Sequence, residues 1–405
     1  MKEDFIIADL HLHSKYARAT SKDISLVNLV KYARIKGLGL LGTGDFQHPV
    51  WFKELDKLEE VDGIVYFDGF PFVWQTEISL MYTKLGKGRR IHYLILAPNK
   101  EVVKQITAFL ASKGRLDYDG RPIFGFQSVE LVEEMNKISN KIEVIPAHCM
   151  TPWFGFFGSK SGYDSLKDAF EDKVNKIHAI ESGMSADPEM LWRLDAGKNI
   201  ISFSDMHSFW PWRIGRESTI FNLPKSKQLT YDLILKQIRE NTFVATIETE
   251  PAYGRYHWDG HRNCNFSCSF EETKKLNGIC PVCKKPLTIG VDYRIEELAK
   301  HPKGYKSENA KPFYRLLPLH EIVSLAFGTG MQTGKVWGVY NNLIKDFENE
   351  FNILLNVSKE DLIRAKVNDK LIELILKNRD GKIKIKPGFD GEYGVAVLGE
   401  KQVTL

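Results

Sequence analysis

The stretch "ADLHLHSKYARAT", residues 8–20, follows the apolar run Phe5-Ile6-Ile7 and carries His11 and His13 on either side of Leu12. A short apolar run bounded by polar residues predicts a strand, and successive side chains of a strand alternate between its faces. Two imidazoles two residues apart therefore point the same way at the strand end, with Asp9 one step earlier on that face. A rigid element presenting two imidazoles side by side is suited to gripping one ion or two adjacent ions.

Working outward, the same alternation of apolar runs and amphipathic stretches continues to about residue 250. Strands are predicted at LGLLGTG, GIVYFDG, FVWQTEISL, RRIHYLILAP, IEVIPAH, IHAIESG and IISFSDMH, with helices such as SLVNLVKYARIKG and EVVKQITAFLASKG stopping at Gly37 and Gly114. This is the pattern of repeated strand and helix units, an α/β fold. Of 11 histidines, His11, His13, His92, His148 and His207 fall within or just after predicted strands. Asp45 and His48 stand in "GTGDFQHP", Glu77 in "WQTEIS", Glu181 in "AIESG", and Asp205 two residues before His207 in "SFSDMHS". A β/α barrel assembles its site from strand C-terminal ends, so this distribution predicts one shared site. Imidazoles mixed with carboxylates suit Zn, Mn, Fe or Ni, and two such ions can clamp a phosphate and bring the pKa of a bound water near neutrality. The chemistry expected is phosphoester hydrolysis.

With 405 residues, 43% hydrophobic and 27% charged, the chain has the composition of a globular protein of two or three domains. No run approaches the roughly 18 apolar residues of a membrane helix, and the N-terminus lacks signal-peptide architecture, so a cytoplasmic protein without membrane association is expected. The net charge of +4 permits nucleic acid as a partner without requiring it. Four of five cysteines, Cys264, Cys268, Cys280 and Cys283, are spaced C-x3-C-x11-C-x2-C, which predicts a closed four-cysteine structural zinc site. Four thiolates complete such a shell, so His257 and His261 are expected to pack or contact substrate. Basic residues outnumber acidic ones around this module and are interleaved with Tyr253, Tyr256, Trp258 and Phe266, a composition suited to a nucleic-acid backbone and exposed bases. Beyond residue 312 helices follow, closing in "KPGFDGEYG" and a strand-like "VAVL". The predicted domains are a metal-dependent barrel over 1–250, a zinc module over 251–311 and a helical DNA-binding region over 312–405.

"DLHLHS", an Asp/His turn, a strand glutamate, single strand-end histidines and a late Asp-x-His resemble the PHP superfamily of metal-dependent phosphoesterases over the first 225 residues or so. The resemblance implies a distorted seven-stranded β/α barrel. It also implies a first metal held by His11, His13, Glu77 and Asp205, and a second sharing Glu77 with His92 and His148. A third site would need a further histidine where this chain has Ala19; Asp45, His48 and His207 are the remaining candidates. Asp205, Glu77 and His207 are the expected catalytic residues, with two or three divalent ions (Zn, Mg or Mn). Glu181 matches no ligand and is expected to support one.

Over nearly the whole chain, a PHP domain followed by "YHWDGHRNC", the cysteine module and a helical end closing in "KPGFDGEYG" is similar to the endonuclease Q family. That resemblance implies DNA repair: hydrolysis on the 5′ side of uracil, hypoxanthine, xanthine and abasic sites in damaged DNA. Extruding such a nucleotide calls for stacking surfaces; Trp153 and Phe154 in "TPWFGFFGSKSGY" and Trp210 and Trp212 in "SFWPWRIGRE" are the candidates. Arg18, Lys160, Arg213 and Arg216 are candidate phosphate contacts. The ending "EKQVTL" contains Gln402-x-x-Leu405, the first half of a sliding-clamp-binding motif, so a clamp is a further candidate partner. A small-molecule phosphatase of the histidinol-phosphate type and a DNA-binding protein without catalysis are the alternative readings.

Overall fold

The computed structural model describes residues 4–397. Strand β1 (Phe5–Asp9) is followed by β2 (Leu40–Gly42), β3 (Phe70–Lys84), β4 (Lys87–Ala97), β5 (Glu143–Pro146), β6 (Ala179–Glu181) and β7 (Asn199–Ile201). β1 pairs in parallel with β2, and β2 with β3. β3 turns back in a long antiparallel hairpin with β4, which pairs antiparallel with β5. Cys149 N donates to Glu181 O at 2.9 Å, bringing β6 beside β5, and β6 runs parallel to β7. Beyond the strand ends a parallel bridge joins Leu12 to Met206, where His13 N donates to Met206 O at 3.2 Å. This strand order is compatible with the expected distorted barrel, and the antiparallel β3–β4–β5 segment is the main departure from regular β/α order. On its other side β1 pairs antiparallel with β8 (Ser218–Asn222), which pairs with β9 (Ala245–Glu248).

Local chemistry accounts for the elements. In α1 (Leu26–Lys36) Leu26, Leu29, Val30 and Ala33 recur at helical spacing and are buried, Ser25 Oγ accepts from Asn28 N, and Gly37 ends the helix at φ 95°, a conformation that glycine adopts without steric cost. Inside the barrel Leu10, Leu40, Val73, Leu94, Ile145 and Phe203 form one buried cluster; each such side chain stabilises the fold by about 1.5–3 kcal/mol.

The segment after residue 312 is helical but for a three-residue strand too short for periodicity to mark and a closing hairpin that holds Val395–Val397 of the strand-like VAVL. Phe313–Arg315 (β10) adds a parallel strand to β9, and Lys384–Lys386 pairs antiparallel with Val395–Val397. Between them lie α2 (Leu319–Phe327), α3 (Gly334–Phe347), α4 (Glu350–Leu355), α5 (Lys359–Arg364) and α6 (Asp369–Arg379). A buried ion pair ties them to the barrel: Lys36 Nζ on α1 lies 2.6 Å from Glu350 Oε1, while Leu319 N and Tyr340 OH donate to the same carboxylate. Among the described residues no helix is long and apolar enough to cross a membrane. Gln402 and Leu405 lie outside the described residues.

Candidate metal centre

At the end of the barrel bearing the strand C-termini of β1, β2 and β7, two groups of donor atoms share one carboxylate. His11, His13, Glu77 and Asp205 form the first group and Glu77, His92 and His148 the second, the donor atoms of each within 4.8 Å of one another. His13 Nε2 lies 3.1 Å from both Glu77 Oε2 and Asp205 Oδ1, and His11 Nε2 lies 3.6 Å from Glu77 Oε1 and from Asp205 Oδ1. In the second group His92 Nδ1 and His148 Nε2 lie 3.0 and 3.1 Å from Glu77 Oε1. Ligands around a tetrahedral ion with bonds of about 2.1 Å stand about 3.4 Å apart, so these separations suit a shared ion as well as direct contact. His11 Nε2 and His148 Nδ1 are buried without a hydrogen-bond partner. For His11 the orphan nitrogen is the one aimed into the donor group, where a metal would satisfy it. The donor set fits divalent metals.

The surrounding residues orient the imidazoles. Glu181 Oε1 faces His11 Nδ1 at 2.8 Å, and Asp45 Oδ1 faces His13 Nδ1 at 3.0 Å. A carboxylate only accepts, so each Nδ1 carries a proton and Nε2 is the nitrogen each ring turns to the centre. The other Glu181 oxygen accepts from His148 N at 2.7 Å, so one carboxylate sets ligands of both groups. Asp9 does not touch an imidazole side chain. It accepts from Ser204 N, Ser204 Oγ and Gly215 N, positioning the loop that carries Asp205, and burial lifts its pKa to about 6. Asp45, His148 and Asp205 sit at φ 39°, 31° and 46°, left-handed conformations that cost non-glycine residues on the order of 1–3 kcal/mol and cluster at functional sites.

Electrostatics follow from burial against a dense charge set. Burial opposes protonation of His11, but Glu181, Glu77 and Asp205 outweigh it and hold its pKa well above the ordinary value. Burial likewise works to raise Glu77, yet His92, Arg121 and His11 keep its pKa well below the carboxylate range. For His92 burial wins and brings it down to about 3, so its imidazole is neutral.

Three expectations are corrected. Asp45 and His48 do not form a third site with His207. Both Asp45 oxygens are engaged, by His13 Nδ1 and by Ser14 N at 2.6 Å, while His48 caps the helix Pro49–Leu55, accepting from Trp51 N, and stacks on Tyr16 with ring centres 4.4 Å apart. His207 stands beside His13, ring centres 4.8 Å apart, outside both donor groups.

The second correction concerns the zinc module. His261, Cys264, Cys280 and Cys283 form the donor group, with His261 Nδ1 3.6 Å from Cys283 Sγ; Cys268 is not in it and instead bonds Thr273 Oγ1 at 3.2 Å. In the hairpin, His261 pairs with Phe266 next to the turn holding Cys264, whereas Cys268 pairs with Asp259, two residues farther along the strand. The strand register thus sets Cys268 two residues beyond the end that carries His261, and its thiol is turned to Thr273 instead.

Third, Trp210 and Trp212 are packed together against the helical segment rather than standing free as stacking faces. They stack on each other with ring centres 5.6 Å apart, and Trp212, buried, packs on His320 and Trp337 of the helical segment. They join barrel to helices. The other candidates lie near the centre or beside it. Phe154 stands over His92 at 4.4 Å, Trp153 meets Tyr256 at 5.2 Å with Lys160 Nζ over its ring, and Arg213 lies over the exposed ring of Tyr393. Arg216 donates to Ser204 O, and Arg18 pairs with Asp119 at 3.2 Å. Sequence reasoning missed Arg121, whose Nη1 donates to Glu77 Oε2 at 3.0 Å; a lone arginine in "DGRPIFG" carries no signal.

Near the Glu181 end of β6 a buried carboxyl pair sits at the barrel wall. Glu248 accepts from Ser182 Oγ at 2.8 Å, Ser202 Oγ at 3.0 Å and Thr246 Oγ1 at 2.5 Å, and Glu217 from Thr249 N at 3.3 Å. Burial lifts Glu248 from 4.5 to about 8. Below about 4.5 both folded and unfolded states hold this proton. Between there and about 8 only the folded state does, so stability falls as pH rises, by at most about 1.4 kcal/mol per pH unit. The thermal midpoint should drop between pH 6 and pH 8.5, and Glu248→Gln should flatten that slope. An unchanged slope in differential scanning fluorimetry would count against a protonated Glu248.

Comparisons with known proteins address the whole chain. Residues 318–382 match the family described as MJ0043 C-terminal domain. The protein MJ0043 of Methanocaldococcus jannaschii is 33% identical over 255 residues, which are 61% of this chain but 31% of that protein, so the chain matches about a third of that relative's length. The crystal structure of the lesion-specific endonuclease PfuEndoQ from Pyrococcus furiosus is similar at a TM-score of 0.87 and 30% identity, covering 98% of this chain and 96% of that one. A second structure, endonuclease Q in complex with a 27-mer duplex substrate carrying an abasic lesion at the active site, gives a TM-score of 0.86 and 30% identity over 98% of this chain and 97% of its own. On that full-length similarity the chain belongs to the endonuclease Q family.

Proposed function

We propose that this protein is a DNA-repair endonuclease that hydrolyses the phosphodiester on the 5′ side of deaminated bases (uracil, hypoxanthine, xanthine) and of abasic sites in duplex DNA. The observation carrying this reading is that the likeness to endonuclease Q runs through barrel, zinc module and helices alike, in a chain whose donor groups around Glu77 are complete. A small-molecule phosphatase would need only the barrel.

Divalent metals, held by His11, His13, Glu77 and Asp205 and by Glu77, His92 and His148, would supply Lewis acidity and a water of lowered pKa. The chain's own residues do the rest. Glu181 and Asp45 hold the Nδ1 protons of His11 and His13, so that Nε2 is the nitrogen each would present to an ion. His207, whose Nδ1 faces the Asp205 carbonyl at 2.9 Å, keeps Nε2 for proton movement at the substrate. Phe154, above His92, and Trp153, beside Tyr256, offer faces on which an extruded nucleotide or its neighbour stacks. Lys160, Arg213, Arg216 and Arg18 are the proposed backbone contacts, and His261, Cys264, Cys280 and Cys283 would hold a structural zinc that fixes the module against the barrel.

The direct test incubates end-labelled duplex containing one deoxyuridine, deoxyinosine, deoxyxanthosine or abasic site with protein plus Mg, Mn or Zn. A nick immediately 5′ of the lesion is expected, with the undamaged duplex intact. Absence of a nick with all lesions and metals, alongside turnover of a phosphate monoester, would replace this reading by the phosphatase. Salt-sensitive duplex binding without any nick would leave a DNA-binding protein.

A further inference from the structure

We infer that Arg121 is a catalytic residue that binds a non-bridging oxygen of the scissile phosphate, supplying a fixed positive charge at the shared carboxylate Glu77. The inference rests on the endonuclease reading but is argued from a different feature: a guanidinium built into the donor cluster.

Arg121 Nη1 donates to Glu77 Oε2 at 3.0 Å, the oxygen that His13 Nε2 approaches at 3.1 Å. The guanidinium therefore stands at the junction of the two donor groups. Its side chain is 23% exposed, so it reaches the centre while keeping an open edge. Within the Arg121 guanidinium, Nη1 alone has a hydrogen-bond partner among the described residues. The remaining N–H donors of the planar fork are unspent, in the geometry that matches two phosphate oxygens.

The loop beneath holds the fork still. Asp119 Oδ1 accepts from Arg121 N and from Arg18 N, both at 3.1 Å, Gln47 Nε2 donates to Gly120 O at 2.6 Å, and Gly120 N donates to Tyr16 O at 3.2 Å. A Cβ on Gly120 would come within 2.2 Å of Asp45 Oδ2 and 2.9 Å of the Ala17 side chain. Glycine is required there because the loop lies directly against the carboxylate that orients His13. The residue preceding Arg121 is thus pressed onto one ligand's support while Arg121 itself reaches the carboxylate both groups share. The loop occupies the side of the centre where Ala19, Asp45 and His48 assemble no third donor group.

Hydrolysis adds water across one P–O ester bond, its oxygen to phosphorus and a proton to the departing deoxyribose oxygen. Arg121 neither gives nor takes a proton in this step. Its charge offsets the negative charge that grows on the non-bridging oxygens, and a preorganised donor of this kind is worth about 10²–10³ in rate.

The test uses the full chain and the variants Arg121→Met and Arg121→Lys. It reads single-turnover nicking of a deoxyuridine duplex, duplex Kd, metal content by plasma emission, and binding of inorganic phosphate by calorimetry. Arg121→Met should nick about 10²–10³-fold more slowly, with wild-type metal content and duplex Kd within about threefold. It should bind phosphate about tenfold or more weakly, as expected for a lost charged hydrogen bond, and Arg121→Lys should recover part of both losses. Wild-type phosphate affinity in Arg121→Met would overturn the inference, as would a nicking rate within threefold of wild type. So would metal loss whose repair by excess metal restores the full rate, since Arg121 would then only position Glu77. If wild-type protein nicks no damaged duplex yet loses phosphate binding on Arg121→Met, the role of Arg121 stands and the choice of substrate falls.

Discussion

Glu77→Gln should reduce nicking by at least about 10³-fold and lower metal content, while duplex affinity stays within about threefold. Glu77 is fully buried and is the one residue common to both donor groups. Its two oxygens face four nitrogens of His13, His92, His148 and Arg121 at 3.0–3.1 Å. A carboxamide of the same shape brings one acceptor and a pair of N–H donors. The donors would point at imidazole lone pairs or at a guanidinium, and the missing negative charge would leave buried cations uncompensated. The fold should survive, since Glu77 lies in the middle of the β3–β4 hairpin, whose backbone pairing does not depend on its side chain. Circular dichroism with metal analysis separates the outcomes. A Glu77→Gln protein that nicks at near wild-type rate would show that the shared carboxylate is not the heart of the centre.

Cys280→Ser and Cys268→Ser should differ sharply. Structural zinc in small modules contributes apparent binding free energies of about 10–16 kcal/mol, and the module's own buried cluster is no more than Cys268, Cys280 and Leu287 with a few partly buried neighbours. With so little apolar burial, loss of a ligand should release about one equivalent of zinc and unfold the segment around Asp259–Leu287. Cys280 is buried at the knuckle, where its N–H bonds Lys285 O at 2.8 Å and its carbonyl accepts from Lys284 N at 2.9 Å. Cys268, bonded to Thr273, should be replaceable by serine with zinc retained. His261→Ala should behave like Cys280→Ser. Zinc release by Cys268→Ser but not by His261→Ala, measured with a colorimetric chelator, would restore the four-cysteine arrangement.

Much of the centre was legible because its grammar is local. His11 and His13 share a face by strand alternation whatever surrounds them, and Leu12 between them is buried on the other side. His48 also carried a local signal that pointed away from metal binding: the proline following it marks a helix start, and His48 is that helix's cap. Glu181 could be read as an acid near a strand end but not as the group holding His11, because the two are separated by 170 positions in the chain. Trp210 and Trp212 show the same limit. An aromatic loop after a ligand reads alike as a stacking surface or as packing, and only the helices carrying His320 and Trp337 decide between them.

The distorted barrel was implied by the family resemblance, whereas the donor types at strand ends and the cysteine knuckle were legible in the residues themselves. These depend on the period of a strand or turn, which a chain carries wherever it folds. Packing between distant segments set which carboxylate faces which imidazole, that His261 rather than Cys268 joins Cys264, Cys280 and Cys283 in one donor group, that Asp45 and His48 have other partners, and that Arg121 reaches Glu77. Each of those outcomes is set by a few ångströms between segments far apart in sequence, and that distance is fixed by packing rather than by periodicity.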